Sequence, residues 1–503
     1  MLGLVLLIGE VPVALSVCCA PPGASGMGTA WFVNDFAQYE SAMRQGAEQS
    51  GWLVHDVFTA EPHDAAFMFP LYVAIGKLAA TVHVPAIVIE RAVEALARAL
   101  LVVALWRFCR AFAAGRAAAR WAFGFTLFAS GFELFAAVYS MLRGGGGVYT
   151  GNWSYETNGF GLLFAAPHVP LAMAATLEIA HDVLRARRTV SRRWLFKIGL
   201  LSATVALLHP FHLPVLLAAT LLAGAVFMRT ERGRASLIGA LAACVAAVPV
   251  LVPTIVTFSF DPFWQATYSL QNVLPSPGPR DLVIDLGLIL VLALGGAVML
   301  RERVAPIGLL GWLLLILFAM YLPVPYQRRL SFGIHPVLAV LAANSLVAAC
   351  AWLKSWRARV LRLAVVATAT VGTLLILVSI VASGFKNTPL PIYRSTRDLD
   401  AVAAWLNAQA QPGDVILADW QAANYLAPRT PARVFGGHPV ATAQADIKEL
   451  ATRSVFASTS SLTVAQQLGV QWLVYGPGEA NLTPPDGAAF QSGVVRVYRV
   501  SPG

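Results

Sequence analysis

Six carboxylates crowd one stretch of this chain. Asp35, Glu40, Glu48, Asp56, Glu61 and Asp64 stand between residues 35 and 64, with Arg44 the one basic residue among them. Asp35 and Tyr39 are four positions apart in WFVNDFAQY, so a helix there would carry both on one face. His55, Asp56, Glu61, His63 and Asp64 follow in WLVHDVFTAEPHDAAFMFPLY. Carboxylates gathered this way can take a proton from a hydroxyl group or, as Asp56 and Glu61 could, hold a divalent cation such as Mg or Mn. For any single acid the plainer reading is a solvated acidic loop.

The surrounding elements are apolar. Of 503 residues, 57% are hydrophobic and 12% charged, about half the charge of a soluble domain. Eleven apolar stretches read as membrane spans: about 2–19, 86–107, 120–142, 158–182, 195–208, 212–228, 235–258, 281–300, 305–322, 332–353 and 362–383. The fifth is short and ends at His209-Pro210, where proline breaks a helix. The loops near 107–120, 183–197, 229–234, 301–303 and 354–362 hold nineteen Lys and Arg, against eight in the rest of residues 1–384. The positive-inside rule makes those loops cytoplasmic. The N-terminus is then inside the cell membrane, and residues 385–503 are outside. Residues 67–82 are apolar enough to cross, but a crossing there would scramble this charge pattern. They are expected at the outer interface, so that a first outer loop runs from about 20 to 85.

The net charge of +10 is thus a topology signal rather than a mark of nucleic-acid binding. The five cysteines lack metal-ligand spacing and imply no disulfide framework. Arg143–Gly147 (RGGGG) reads as a flexible outer loop, and Asn152 and Asn481 begin sequons on the expected outer side. From Leu399 the pattern changes. Leu399, Val402, Ala403 and Leu406 repeat at helical spacing, and β-like runs follow at 415–418, 433–435, 470–475 and 494–500. The expected fold is therefore mainly α: a polytopic helical bundle over 1–384 with a large first outer loop, then a small soluble α/β domain over 385–503. That domain shows no phosphate loop or nucleophile motif, and its expected role is accessory.

The order of features resembles the GT-C-fold glycosyltransferases that use polyprenyl-phosphate sugars, in particular the bacterial branch related to protein O-mannosyltransferases and aminoarabinose transferases. The features are a first helix, an acidic D-x-x-x-Y element (Asp35, Tyr39), a long outer loop, and Pro70-Leu71-Tyr72 entering an interfacial helix. The resemblance covers about residues 1–384. It implies inverting transfer of a sugar from a polyprenyl-phosphate donor, drawn from the membrane, to a glycan, lipid or protein acceptor outside the cell. Asp35 takes the role of catalytic base, while Asn34 stands where many relatives carry a second acid. Tyr39, His55, His63 and His209 are candidate substrate contacts, and Asp56 and Glu61 a candidate cation pair. Arg328 and Arg329 suit the lipid phosphate, because a guanidinium binds its oxygens bidentately; anchoring to lipid headgroups is their plainer role. The alternatives are a transporter or flippase for a lipid-linked sugar, for which no internal repeat is evident, and a non-catalytic membrane partner.

Overall fold

A computed structural model describes residues 2–20, 22–26, 33–143, 156–186, 189–298, 304–386, 393–479 and 482–500. Gly144–Gly147 of the expected flexible loop and both sequon asparagines, Asn152 and Asn481, lie outside the described residues. The chain is mainly helical and divides into two compact units. The first comprises Met1–Gly9, Val93–Pro253 and Val273–Val378; the second comprises Glu10–Ala92, Thr254–Asn272 and Ser379–Gly503.

Every apolar stretch read from the sequence contains a helix. In chain order these are α1 (Leu2–Cys18), α4 (Ala86–Phe112), α5 (Arg116–Phe128) with α6 (Glu133–Leu142), α7 (His168–Leu184), α8 (Arg192–Leu208), α9 (Leu213–Val226), α10 (Glu231–Phe260), α12 (Pro279–Val298), α13 (Val304–Ala319), α14 (Ile334–Trp352) and α15 (Ser355–Lys386). Three helical segments of the described residues are long and apolar enough to cross a membrane, and a fourth if α5 and α6, bent by 47°, count as one span. Two boundaries differ from expectation. The third stretch is broken between α5 and α6. The fourth does not become helical until His168, because Gly159, Gly161 and Pro167 interrupt it, and Gly159 lies so close to the Thr126 carbonyl that a Cβ would overlap it. In the first unit α14 packs against α5 and α12, α9 against α13, and α7 against α8. Helix α14 is apolar all round, and every residue from Ile334 to Ala343 is buried, as expected of a central helix.

The second unit includes the acidic segment between α1 and α4. Helix α2 (Val33–Glu48) packs along α3 (Pro70–Val82). At 13 residues, α3 spans roughly 20 Å, short of the ~30 Å hydrocarbon core. Strand β1 (Ala24–Gly26) pairs antiparallel with β2 (Tyr393–Thr396). Helix α16 (Arg397–Gln409) leads into a five-stranded sheet of order β4-β3-β5-β7-β6. Its strands are β3 (Val415–Leu417), β4 (Arg433–Val434), β5 (Trp472–Tyr475), β6 (Phe490–Ser492) and β7 (Val495–Arg499). β4, β3 and β5 run parallel, and β7 and β6 are added antiparallel. One core includes Leu399, Val402 and Leu406 of α16, Ile416, Val474 and Val497 of the sheet, and Ala37 and Phe58 of the acidic segment.

The α2–α3 crossing depends on two glycines. A Cβ on Gly46 would come within 2.8 Å of the Val73 Cα, and one on Gly76 would overlap the Met43 carbonyl. Gly76→Ala is expected to destabilise the second unit by about 1–3 kcal/mol, read as a lower unfolding midpoint in detergent. Gly51→Ala, with open space around it, is the control; equal midpoints for the two variants would contradict this packing.

Candidate functional site

Asp35 lies in the first turn of α2 with its side chain 48% exposed. Its Oδ1 is 3.5 Å from Nε2 of His438, whose ring is fully buried. The backbone N–H groups of Val440 and Ala441 both donate to His438 Nδ1, at 3.1 and 3.0 Å. Nδ1 must therefore present a lone pair, which puts the proton of the neutral ring on Nε2. Nε2 meets the Gln38 amide at 2.7 Å, with Asp35 beside it at 3.5 Å. The amide orientation that satisfies the network sets its oxygen against His438 and its nitrogen against the Tyr268 hydroxyl, 3.0 Å off. Tyr268 in turn lies beside Asp56. Asp35 is thus the accessible end of a polar chain running inward through His438, Gln38 and Tyr268 to Asp56.

Asp56 is 4% exposed, and its Oδ1 accepts from the Phe58 N–H at 2.8 Å. Burial pushes its carboxyl up to about 7, against the lowering influence of the Phe58 N–H, the Tyr268 hydroxyl and Lys448. Glu61 has the opposite fate. Burial works to raise it, but the bonds from Lys448 and Thr59 and the Lys448 charge hold it below the usual carboxylate range. Lys448 Nζ is 2.6 Å from Glu61 Oε2 and also donates to the Phe435 carbonyl and the Thr59 hydroxyl. A cation at Asp56 and Glu61 does not fit this arrangement, because an ammonium already neutralises Glu61.

The remaining loop candidates separate clearly. Tyr39 stacks on Tyr72 at 4.3 Å and meets the edge of Phe69 at 5.4 Å. Phe69 has φ +54°, a left-handed conformation that turns the chain into Pro70 and α3. His55 is exposed at the rim of a small recess, open to solvent, which Gln38, Asp56, Phe69 and Tyr268 also line. His63 uses both ring nitrogens on its own loop: Nε2 accepts from the Asp56 N–H at 2.9 Å and Nδ1 donates to the Glu61 carbonyl at 2.8 Å. Stacked 4.1 Å from Phe263, it is kept neutral by burial and braces the loop.

His209, Arg328 and Arg329 belong to the first unit. The Arg329 guanidinium lies 4.8 Å from the Phe211 ring, and His209 packs on the same ring at 5.4 Å. His168 and His212 lie beside His209, with ring centres 5.9 and 4.7 Å away. Arg328 Nε is 3.4 Å from the buried Glu156. Arg329 Nε, His209 Nδ1 and His212 Nε2 are buried without hydrogen-bond partners among the described residues. The one group of three or more metal-capable side chains among the described residues is Glu178, His181 and Asp182. Lys197 pairs with both of those acids and Arg107 with Glu178, so their charge is already matched.

Glu156, Tyr268, His438 and Lys448 are the partners that pattern reading did not single out. Each lies far in sequence from the residue it serves, and no local spacing marks it.

Neither a family model nor a curated protein matches the sequence. Solved structures do. The archaeal oligosaccharyltransferase AglB from Archaeoglobus fulgidus, in complex with an inhibitory peptide and a dolichol-phosphate, aligns with 94% of this chain and 69% of its own, at 13% identity and TM-score 0.54. ArnT from Cupriavidus metallidurans, bound to undecaprenyl phosphate, aligns over 98% and 96%, at 15% and 0.51. The fold is the GT-C fold. The arabinofuranosyltransferase AftD from Mycobacteria shares it over the whole of this chain and 40% of its own, at 14% and 0.54.

Asp56 links the loop to pH. A carboxyl raised on folding stabilises the folded state fully below its unfolded pKa, and that stability is lost as pH rises through the folded one. From the unfolded value near 4 to about 7, the wild type should lose more stability than Asp56→Asn, whose unfolding midpoint stays flatter across that window. Parallel midpoint curves for the two proteins would contradict a protonated, buried Asp56.

Proposed function

We propose that the protein is a multi-pass membrane glycosyltransferase that transfers a sugar from a polyprenyl-phosphate donor to an extracytoplasmic acceptor, with inversion. The observation that carries this reading is the Asp35 carboxylate of the second unit, partly exposed and 3.5 Å from the buried His438 imidazole. Within the first unit, Arg329 Nε, His209 Nδ1 and His212 Nε2 are buried and lack partners among the described residues. Such nitrogens suit a phosphate. Support comes from the shared fold, since the AglB structure holds a dolichol-phosphate and the ArnT structure undecaprenyl phosphate.

In this reading about eleven helices cross the membrane, with the N-terminus inside and residues 385–503 outside. Asp35 accepts the proton of the acceptor hydroxyl. The acceptor oxygen bonds to the anomeric carbon as the bond from that carbon to the phosphate oxygen breaks, and the electron pair leaves with the polyprenyl phosphate. Attack opposite the leaving group inverts the centre. Arg328 and Arg329 stabilise the charge on the departing phosphate. His438 and Gln38 position Asp35 without touching the sugar. Tyr39 and His55 flank the acceptor side, His209 the phosphate. No step requires a divalent cation at Asp56 and Glu61.

The test is turnover of polyprenyl-phosphate sugars by purified protein supplied with candidate acceptors. Asp35→Asn should lower donor consumption by about 10²–10⁴-fold, the usual contribution of a general base, and leave donor binding intact. His438→Ala should lower it less and shift its pH profile. Donor consumption unchanged in Asp35→Asn would remove that residue from the chemistry. Movement of donor between leaflets without consumption would indicate a flippase.

A further inference from the structure

We propose that Glu133 and Asp285 form a binding site for a hard divalent cation, where two interrupted helices of the first unit meet. The helix of α5 and α6 is broken over residues 129–132, and α12 is interrupted at Gly287, which has φ +52° and ψ −136°. The two breaks touch. The Phe132 N–H donates to the Ile284 carbonyl at 2.7 Å, and a Cβ on Gly287 would come within 2.6 Å of the Gly131 Cα. Glu133 follows Phe132 and Asp285 follows Ile284, so the two acids flank this contact, and a Cβ on Gly131 would come within 2.5 Å of the Asp285 carbonyl.

Asp285 is 7% exposed, and neither of its carboxylate oxygens has a hydrogen-bond partner among the described residues; Glu133 Oε2 is likewise buried and unpartnered. Helix α15 approaches closely there at a glycine. At Gly372 on α15, a Cβ would sit 2.6 Å from Ser130 Oγ and 3.2 Å from Glu133 Oε2. The next residue, Thr373, also buries a hydroxyl without a partner.

Two other buried acids are each matched by a base, Glu94 by Arg98 and Glu156 by Arg328, while the buried Asp56 at least accepts the Phe58 N–H. Glu133 and Asp285 have no ion-pair partner among the described residues. Two carboxylates in an apolar setting are costly to keep ionised and uncompensated. Helix breaks free backbone carbonyls, and interrupted membrane helices use these to coordinate cations. An all-oxygen donor set with two negative charges suits Ca²⁺ or Mg²⁺ rather than a metal that prefers nitrogen or sulfur. The site is separate from the residues assigned above to sugar transfer.

The experiment uses the full chain, purified in detergent and stripped with a chelator. Retained metal is counted by mass spectrometry, and unfolding is followed on adding Ca²⁺ or Mg²⁺ against Na⁺ of equal ionic strength. The expected result is one divalent ion per chain, a saturable rise in unfolding midpoint, and at least tenfold weaker binding in Asp285→Asn and in Glu133→Gln. The double variant, which removes both buried charges, should fold and ignore divalent ions. Glu178→Gln should bind as wild type does. Absence of a divalent response, or a response kept in the double variant, would overturn the site; a pair that merely shares a proton would give the first of these.

Discussion

Lys448 and Glu61 meet at 2.6 Å, and the second unit is organised around that pair. The ammonium is 6% exposed, so its charge has to be met by protein. Glu61, the Thr59 hydroxyl and the Phe435 carbonyl meet it. Two of those groups come from the acidic segment between α2 and α3 and one from the segment after β4. Lys448 is buried while the Glu61 side chain is 40% exposed, so the pair is worth less than a fully buried one and more than a surface one. Neighbouring contacts repeat the pattern: Thr442 donates to the Phe58 carbonyl, Arg433 to the Glu61 carbonyl, and Val434 to the Val57 carbonyl. The loop is thereby held as part of a folded domain, which is what keeps Asp35 beside His438.

Much of the architecture was legible because it is local. Apolar stretches, the Pro210 break, the helical spacing from Leu399 to Leu406 and the four β-like runs all depend on neighbours along the chain. Asp35 and Tyr39 do lie on one helix, and α3 is a short helix packed on α2. What was not legible is long-range. The C-terminal segment reads as an accessory domain when taken alone, yet His438 and Lys448 complete the surroundings of Asp35 and Glu61 across about four hundred positions. Residues 254–272 read as a span end followed by a loop, and they supply Tyr268 and the buried Trp264, whose indole N–H donates to the Asp64 carbonyl at 3.1 Å. Proximity of Asp56 and Glu61 in sequence suggested a cation pair; the lysine that meets Glu61 carries no local mark.

The two arginines show the same limit from the other side. In the sequence Arg328 and Arg329 read alike as groups suited to a lipid phosphate, and the structure gives them different surroundings. Arg328 faces the buried Glu156. Arg329 lies on the face of Phe211 with Nε unpartnered. Arg329 is half-buried with a buried Nε left over, whereas Arg328 is paired, so Arg329 more than Arg328 is free to take an anion.

That difference gives the most direct test of the account. Purified protein in lipid nanodiscs would be offered a polyprenyl monophosphate, and bound lipid counted by native mass spectrometry. The account predicts one retained lipid phosphate per chain, displaced by the same lipid in excess but not by the uncharged polyprenol, and lost in Arg329→Gln. Equal retention of polyprenol and polyprenyl phosphate, or retention unaffected by Arg329→Gln, would contradict it.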